Sequence, residues 1–237
     1  MTVSLSHPSV KCNGKFRITG SKSETNRLLL LQALFSGLSI ENTSESDDSE
    51  VMQAALKAKT DVIDVHHAGT AMRFLTAYFA YLEGREVLLT GSQRMQERPI
   101  KVLVEALRSI GASITYEKEE GYPPIIIKGK KLTGGTVTLP ADISSQYISA
   151  LLLIGPVLEN GIQLDLLGKI TSIPYINMTL SLLNNIGVQT EFKGQSIRVA
   201  PQKKPRLTTQ IVESDWSSAS YYFSIVALSD ESEIHLT

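Results

Sequence analysis

The chain has 237 residues, 23 Lys and Arg against 24 Asp and Glu, a formal net charge of -1, and 42% hydrophobic residues. That is an ordinary globular composition; no basic excess points to a nucleic acid and no acidic tail to disorder, and the length predicts one large domain or two smaller ones. A single cysteine, Cys12, excludes an internal disulfide and a thiolate metal cluster.

The opening stretch, MTVSLSHPSVKCNG, lacks the basic patch and apolar core of a signal peptide. No apolar run reaches the roughly 18 residues of a membrane span. A cytoplasmic protein without membrane or nucleic-acid partners is the expectation. His7, His66, His67 and His235 show no metal-ligand spacing, so no metal is expected. No cofactor is expected either.

In chain order, the polar cluster GSKSETNR opens an apolar run, Asn26 to Leu38, with a short strand pattern after it, LSIEN. An amphipathic helix is predicted over Asp48 to Ala58. HHAGTAMR then opens a second apolar helix, Ala71 to Leu82, followed by REVLLTG. Ile100, Leu103, Val104, Leu107 and Ile110 share one face of a second amphipathic helix, and Pro99 suits its first turn. The Gly of SIGASITYE fits a left-handed cap before a strand, and PPIIIKG reads as another strand. DISSQY opens the third apolar helix, Tyr147 to Leu158, with IQLDLLG after it. A third amphipathic helix, Pro174 to Ile186, ends in NIGVQTEFK, and SIRVA follows. The three runs that are apolar all round are predicted to be buried.

These elements form a repeat. The unit is strand, buried helix, strand, amphipathic helix and two strands, about three times, with a shortened first copy. A fourth copy begins at VESDWSSASYYFSIVALSDESEIHLT and reaches only a first helix and strand. The expectation is a three-unit α/β domain over residues 15–212. Residues 1–14 and 213–237 are expected to belong to a truncated second domain.

Each buried helix begins with small hydroxyl residues: GSKSETNR, HHAGTAMR, DISSQY, and SDWSSAS in the fourth copy. A helix N-terminus exposes unpaired N–H groups and a partial positive charge. Ser and Thr there can serve only as N-caps; small residues also admit an anion to those N–H groups. Parallel packing of the three helices about a pseudo-threefold axis would aim their N-termini at one place. Lys22, Arg27 and Arg98 would add charge there, and Ser23, Thr70, Ser144, Ser145 and Ser172 would add hydroxyls. The residues themselves point to a small ligand with more than one acid group.

GSKSETNRLLLLQAL, HAGTAMRFL, LTGSQRMQERPI, SSQYISALLL, SIPYINMTL and VESDWSSASYY resemble, in order, the signature segments of the 5-enolpyruvylshikimate-3-phosphate synthase family. The resemblance runs from about Lys15 to Thr237. It implies an enolpyruvyl transferase-type α/β domain of three βαβαββ repeats, an inside-out α/β barrel, monomeric in the intact enzyme. It also implies transfer of the enolpyruvyl group of phosphoenolpyruvate to the 5-hydroxyl of shikimate 3-phosphate, a step of chorismate and aromatic amino-acid biosynthesis. By resemblance, Ser23 and Arg27 hold the shikimate carboxylate and ring hydroxyls. Ser144, Ser145 and Ser172 hold the 3-phosphate, and Tyr175 packs against the ring. Lys22, Gly69, Arg98 and Gln146 contact phosphoenolpyruvate, with Lys22 and Gln146 reaching both substrates and Lys22 the catalytic candidate. His67, Thr70 and Asp215 complete the set.

Two positions depart from the family pattern: His67 stands where many members have Asn, and Phe74 where many have Pro. Gly69 is retained, which implies sensitivity to glyphosate, a phosphoenolpyruvate competitor in this family. The family's main acid–base carboxylates lie in its second domain, so this chain alone is expected to bind shikimate 3-phosphate without turnover. Two alternatives are a non-catalytic anion-binding module and the sister transferase acting on UDP-N-acetylglucosamine. The latter's usual Gly-Ala-Lys-Asn opening and loop cysteine are not matched here.

Overall fold

The computed structural model describes residues 11–202, 204, 206 and 209–237. His7 and the first ten residues of the expected second-domain segment lie outside the described residues. Twelve strands and eight α-helices are described. In chain order they are β1 (Lys11–Phe16), α1 (Lys22–Leu34), β2 (Ser39–Glu41), α2 (Asp47–Lys57) and β3 (Val62–Asp64). Next come α3 (Gly69–Tyr81), β4 (Glu86–Thr90), a short α4 (Gln93–Gln96), α5 (Lys101–Ser109), β5 (Ser113–Tyr116) and β6 (Ile125–Lys128). The rest are β7 (Gly135–Pro140), α6 (Ser145–Ile154), β8 (Ile162–Leu167), α7 (Ile173–Asn185), β9 (Thr190–Lys193), β10 (Ser196–Val199), β11 (Thr209–Ile211), α8 (Trp216–Leu228) and β12 (Glu231–Leu236).

The three helices that are apolar all round are buried all round. In α3 every residue from Gly69 to Ala80 except Thr70 is buried, and in α6 every residue except Gln146. In α1, Thr25 to Leu31 are buried. These helices touch one another pairwise and form the centre of the core. The amphipathic helices each bury one face: Met52 and Ala55 in α2, Leu103, Val104 and Leu107 in α5, Ile176, Leu180 and Leu183 in α7. Gly111 and Gly187, with φ of 104° and 84°, close α5 and α7 in the left-handed region where glycine carries no Cβ penalty.

Sheets cover the helices from outside. Two four-stranded sheets share one topology, β3-β4-β6-β5 and β7-β8-β10-β9. In each, the first pair is parallel and the other pairs are antiparallel. The third sheet is the parallel pair β11-β2, with Gln210 opposite Ile40. The leading strand of the first unit is therefore β11, which arrives after the other two units are complete. The strand that precedes α1 in sequence, β1, pairs instead with β12 in a separate parallel sheet, Lys11 opposite Glu231 through Phe16 opposite Leu236.

The chain crosses between these layers twice, side by side. Ser21 N–H donates to Glu213 O at 2.7 Å and Asp215 N–H to Thr19 O at 2.9 Å, around an antiparallel bridge of Gly20 and Ser214. Beyond the crossing, α8 rests on β12 and leaves Trp216, Tyr221 and Leu228 exposed. No described helix is long and apolar enough to cross a membrane.

Candidate anion-binding site

The N-termini of α1, α3 and α6 open on one cavity of about 710 Å³. Its lining takes Ser21 to Glu24 and Arg27 from α1, Thr70 from α3, Ser144 to Gln146 from α6, and Tyr175 and Met178 from α7. The crossing segment and the first turns of α8, Glu213 to Ser218 and Tyr221, close one side.

Capping accounts for part of each cluster. Ser21 Oγ accepts from Glu24 N–H at 3.5 Å, Ser144 Oγ from Gln146 N–H at 3.3 Å, and Asp215 from Ser217 N–H at 3.0 Å. Such caps satisfy only some of the orphan donors of a helix start. Two mouths are tied together by Gln146 Nε2, which donates to Thr70 Oγ1 at 3.1 Å.

Arg27 lies deepest and is only 3% exposed. Its Nε donates to Thr179 Oγ1 at 2.8 Å, Nη1 to Ser23 O at 2.7 Å, and Nη2 to Ser149 Oγ at 3.0 Å and Tyr175 O at 3.5 Å. The guanidinium carbon lies 5.4 Å from the Phe74 ring centroid and 6.0 Å from that of Tyr175. Among the described residues no carboxylate pairs with it. Burial lowers its pKa to about 10, partly offset by Tyr175, so the group stays charged at neutral pH. A buried cation surrounded only by neutral groups is costly and favours an incoming anion.

At the rim, Lys22 is exposed and its Nζ lies 3.6 Å from an oxygen of the largely buried Asp48 side chain. Desolvation raises the pKa of Glu24 above the usual carboxylate value. A hydrogen bond accepted from Glu213 N–H pulls it down, and the Glu213 charge pushes it up.

The second arginine of the repeat, Arg73, is equally buried but does not line the cavity. It donates to Gly69 O at 3.3 Å and to Pro99 O at 3.0 Å and lies over Tyr147. Desolvation lowers its pKa; hydrogen bonding and charge from Tyr147 oppose this, and nearby Arg98 adds to the lowering. Arg98 itself is exposed, and a Cβ built on Gly69 would stand 2.7 Å from its Nη1.

A sequence-family model described as EPSP synthase (3-phosphoshikimate 1-carboxyvinyltransferase) matches residues 54–237. The chain belongs to the EPSP synthase family. It is 49% identical over 235 residues to a 3-phosphoshikimate 1-carboxyvinyltransferase of Bacteroides fragilis (strain ATCC 25285), covering 98% of this chain and 57% of that protein. The corresponding protein of Mannheimia haemolytica is 38% identical over 259 residues, with 93% and 59% covered. The chain thus spans little more than half the length of these relatives. The solved EPSP synthase from Acinetobacter baumannii shares the fold, with a TM-score of 0.75 at 23% identity, over 94% of this chain and 55% of that one.

Among EPSP synthase family positions expected from sequence, the cavity gathers Lys22, Ser23, Arg27, Thr70, Ser144, Ser145, Gln146, Tyr175 and Asp215. Gly69, Arg98, His67 and Ser172 lie outside its lining. Gly69 adjoins Thr70 and touches the space of Arg98. Ser172 precedes α7 in the left-handed region, φ 55°, and its side chain makes no capping bond. His67 is exposed. Phe74 is fully buried beneath Arg27 rather than at the surface. Asp48, Ser149 and Thr179 were not singled out from sequence. Ser149 and Tyr175 each lie four residues from a polar partner on the same helix, a spacing that puts Ser145 with Ser149 and Tyr175 with Thr179 on shared faces. No group of three His, Cys, Asp or Glu that could hold a metal occurs among the described residues.

Proposed function

We propose that this chain supplies the helix-mouth half of an enolpyruvyl transfer site, in which shikimate 3-phosphate accepts the 1-carboxyvinyl group of phosphoenolpyruvate and phosphate is released. The observation that carries this reading is Arg27, buried at the junction of three helix N-termini without a carboxylate partner. Both substrates carry a phosphate and a carboxylate, which suits converging helix dipoles and full cations.

In this reading Arg27 and Ser23 take the shikimate carboxylate and ring hydroxyls. Ser144, Ser145 and Ser172 take the 3-phosphate, and Tyr175, 46% exposed on the cavity wall, covers the ring. Gly69, Arg98 and Gln146 hold phosphoenolpyruvate, and the planar Arg98 fork suits a carboxylate or phosphate better than Lys would. Lys22 stands between the substrates and stabilises charge or moves a proton as the 5-hydroxyl adds and phosphate leaves. His67, Thr70 and Asp215 belong to the rim. Asp215 also caps α8 at the crossing, the place where a second body would meet the first. We assign β1, α8 and β12 to that second body, and the family's monomeric, cytoplasmic setting to the protein.

Calorimetric titration of shikimate 3-phosphate into the folded chain tests the reading. Binding that Arg27→Ala abolishes supports it; absence of heat from a folded wild-type chain refutes it.

A further inference from the structure

Resting on the reading of the helix mouths as the shikimate 3-phosphate site, we propose that Thr179 and Ser149 are positioning residues that orient Arg27 through neutral hydroxyls and leave its charge free for the substrate.

Thr179 Oγ1 is the centre of the arrangement. It accepts from Arg27 Nε at 2.8 Å, lies 3.0 Å from Ser149 Oγ, and donates to Tyr175 O at 2.9 Å. Ser149 Oγ accepts from Arg27 Nη2 at 3.0 Å. Both hydroxyls are fully buried, and they come from α6 and α7 whereas Arg27 comes from α1. The cradle therefore forms only when the first and third units dock.

A guanidinium has five N–H donors. Protein acceptors take Nε–H, one N–H of Nη1 and both of Nη2. One N–H of Nη1 remains for a ligand. Carboxylates in the same places would fix the side chain more firmly, because charge-assisted hydrogen bonds are stronger. They would also neutralise it. Hydroxyls and carbonyls fix its direction and leave a full positive charge facing a cavity built for an anion. The cost is desolvation, visible in the lowered pKa of Arg27.

The test compares Thr179→Asn and Thr179→Asp, equal in shape and different in charge. Shikimate 3-phosphate affinity by calorimetry is expected to fall by less than about tenfold in the Asn variant and by about a hundredfold or more in the Asp variant. Thr179→Ser, which keeps the hydroxyl, is expected to restore binding. The Asp variant is expected to melt no lower than the Asn variant, so that stability and binding part company. Equal binding by folded Asn and Asp variants would overturn the proposal. A second readout needs no ligand and applies even where the Asn and Asp variants do not fold. The Arg27 Nε–H resonance should be protected from exchange in the wild-type chain and lose that protection in Thr179→Val. A resonance indifferent to Val would overturn the proposal. Protection lost in Val, with no shikimate 3-phosphate binding by the wild type, would sink the substrate assignment and leave the positioning role standing.

Discussion

Gly69 lies directly against the Arg98 guanidinium: a Cβ there would stand 2.7 Å from Nη1 and 3.2 Å from both Cζ and Nη2. The crowded atoms are the far end of a flexible side chain, so Gly69→Ala displaces Arg98 rather than the backbone. Alanine also suits the first turn of α3 better than glycine, by up to about 1 kcal/mol. The expected result is unchanged or slightly raised stability, with phosphoenolpyruvate and glyphosate affinity each reduced by about tenfold or more. Melting curves and calorimetry on the shikimate 3-phosphate complex check both halves.

Arg27→Met should separate stability from function. Its hydroxyl partners remain paired, because Ser149 and Thr179 stay 3.0 Å apart and Thr179 still donates to Tyr175 O. Removing a buried charge that has no carboxylate partner strands no opposite charge. Stability is expected to stay within about 1 kcal/mol of wild type or to rise. Shikimate 3-phosphate binding should fall below detection.

Glu24 gives the chain a pH dependence of definite sign. Its folded pKa is raised, so the folded state holds this proton more tightly than the unfolded state. Its contribution to stability is therefore greatest when it is protonated, below its unfolded pKa. That contribution is lost as pH rises through the raised folded value. Glu24→Gln keeps an acceptor for Glu213 N–H and removes the charge. The variant should melt above wild type at pH 7 and converge with it near pH 4, as thermal scans across that range would show.

Phe74 is among the largest fully buried side chains and also lies under Arg27. Phe74→Ala should cost about 3–5 kcal/mol through lost burial and the cavity left behind. Shikimate 3-phosphate binding should weaken with it, because one wall of the Arg27 niche goes. Phe74→Leu should recover most of the stability but not the ring beneath the guanidinium. Denaturant melts and calorimetry on both variants separate the two effects.

The buried helices were legible because Leu28 to Leu31, Ala71 to Ala80 and Ile148 to Ile154 have no polar stripe, and a helix with no polar stripe has no face to give to water. The convergence of their mouths was legible too, because the hydroxyl clusters recur at equivalent points of the repeat. Two things were not. The pairing of β11 with β2 joins segments about 170 residues apart, and three-residue strands carry too little alternation to announce a partner. The depth of Arg27 depends on Ser149 and Thr179, which stand 122 and 152 residues away. Local sequence around Arg27 shows a cation near a helix start, which on most proteins is a solvated one. Ser172 read as one more hydroxyl of the set, and nothing local in the sequence announces the left-handed backbone it adopts at the start of α7.

The paired crossing at Gly20 and Ser214 has a mechanical consequence. A single covalent tether lets the parts it joins swivel freely. Here two tethers run antiparallel and are laced by Ser21 N–H to Glu213 O and Asp215 N–H to Thr19 O, with the Glu24 carboxylate holding Glu213 N–H beside them. Twisting one side against the other would shear those bonds, whereas bending across the pair leaves them intact. Any relative movement of α8 and the three helix mouths that kept those bonds would be a bend across the crossing, as a door swings on two hinges mounted in line.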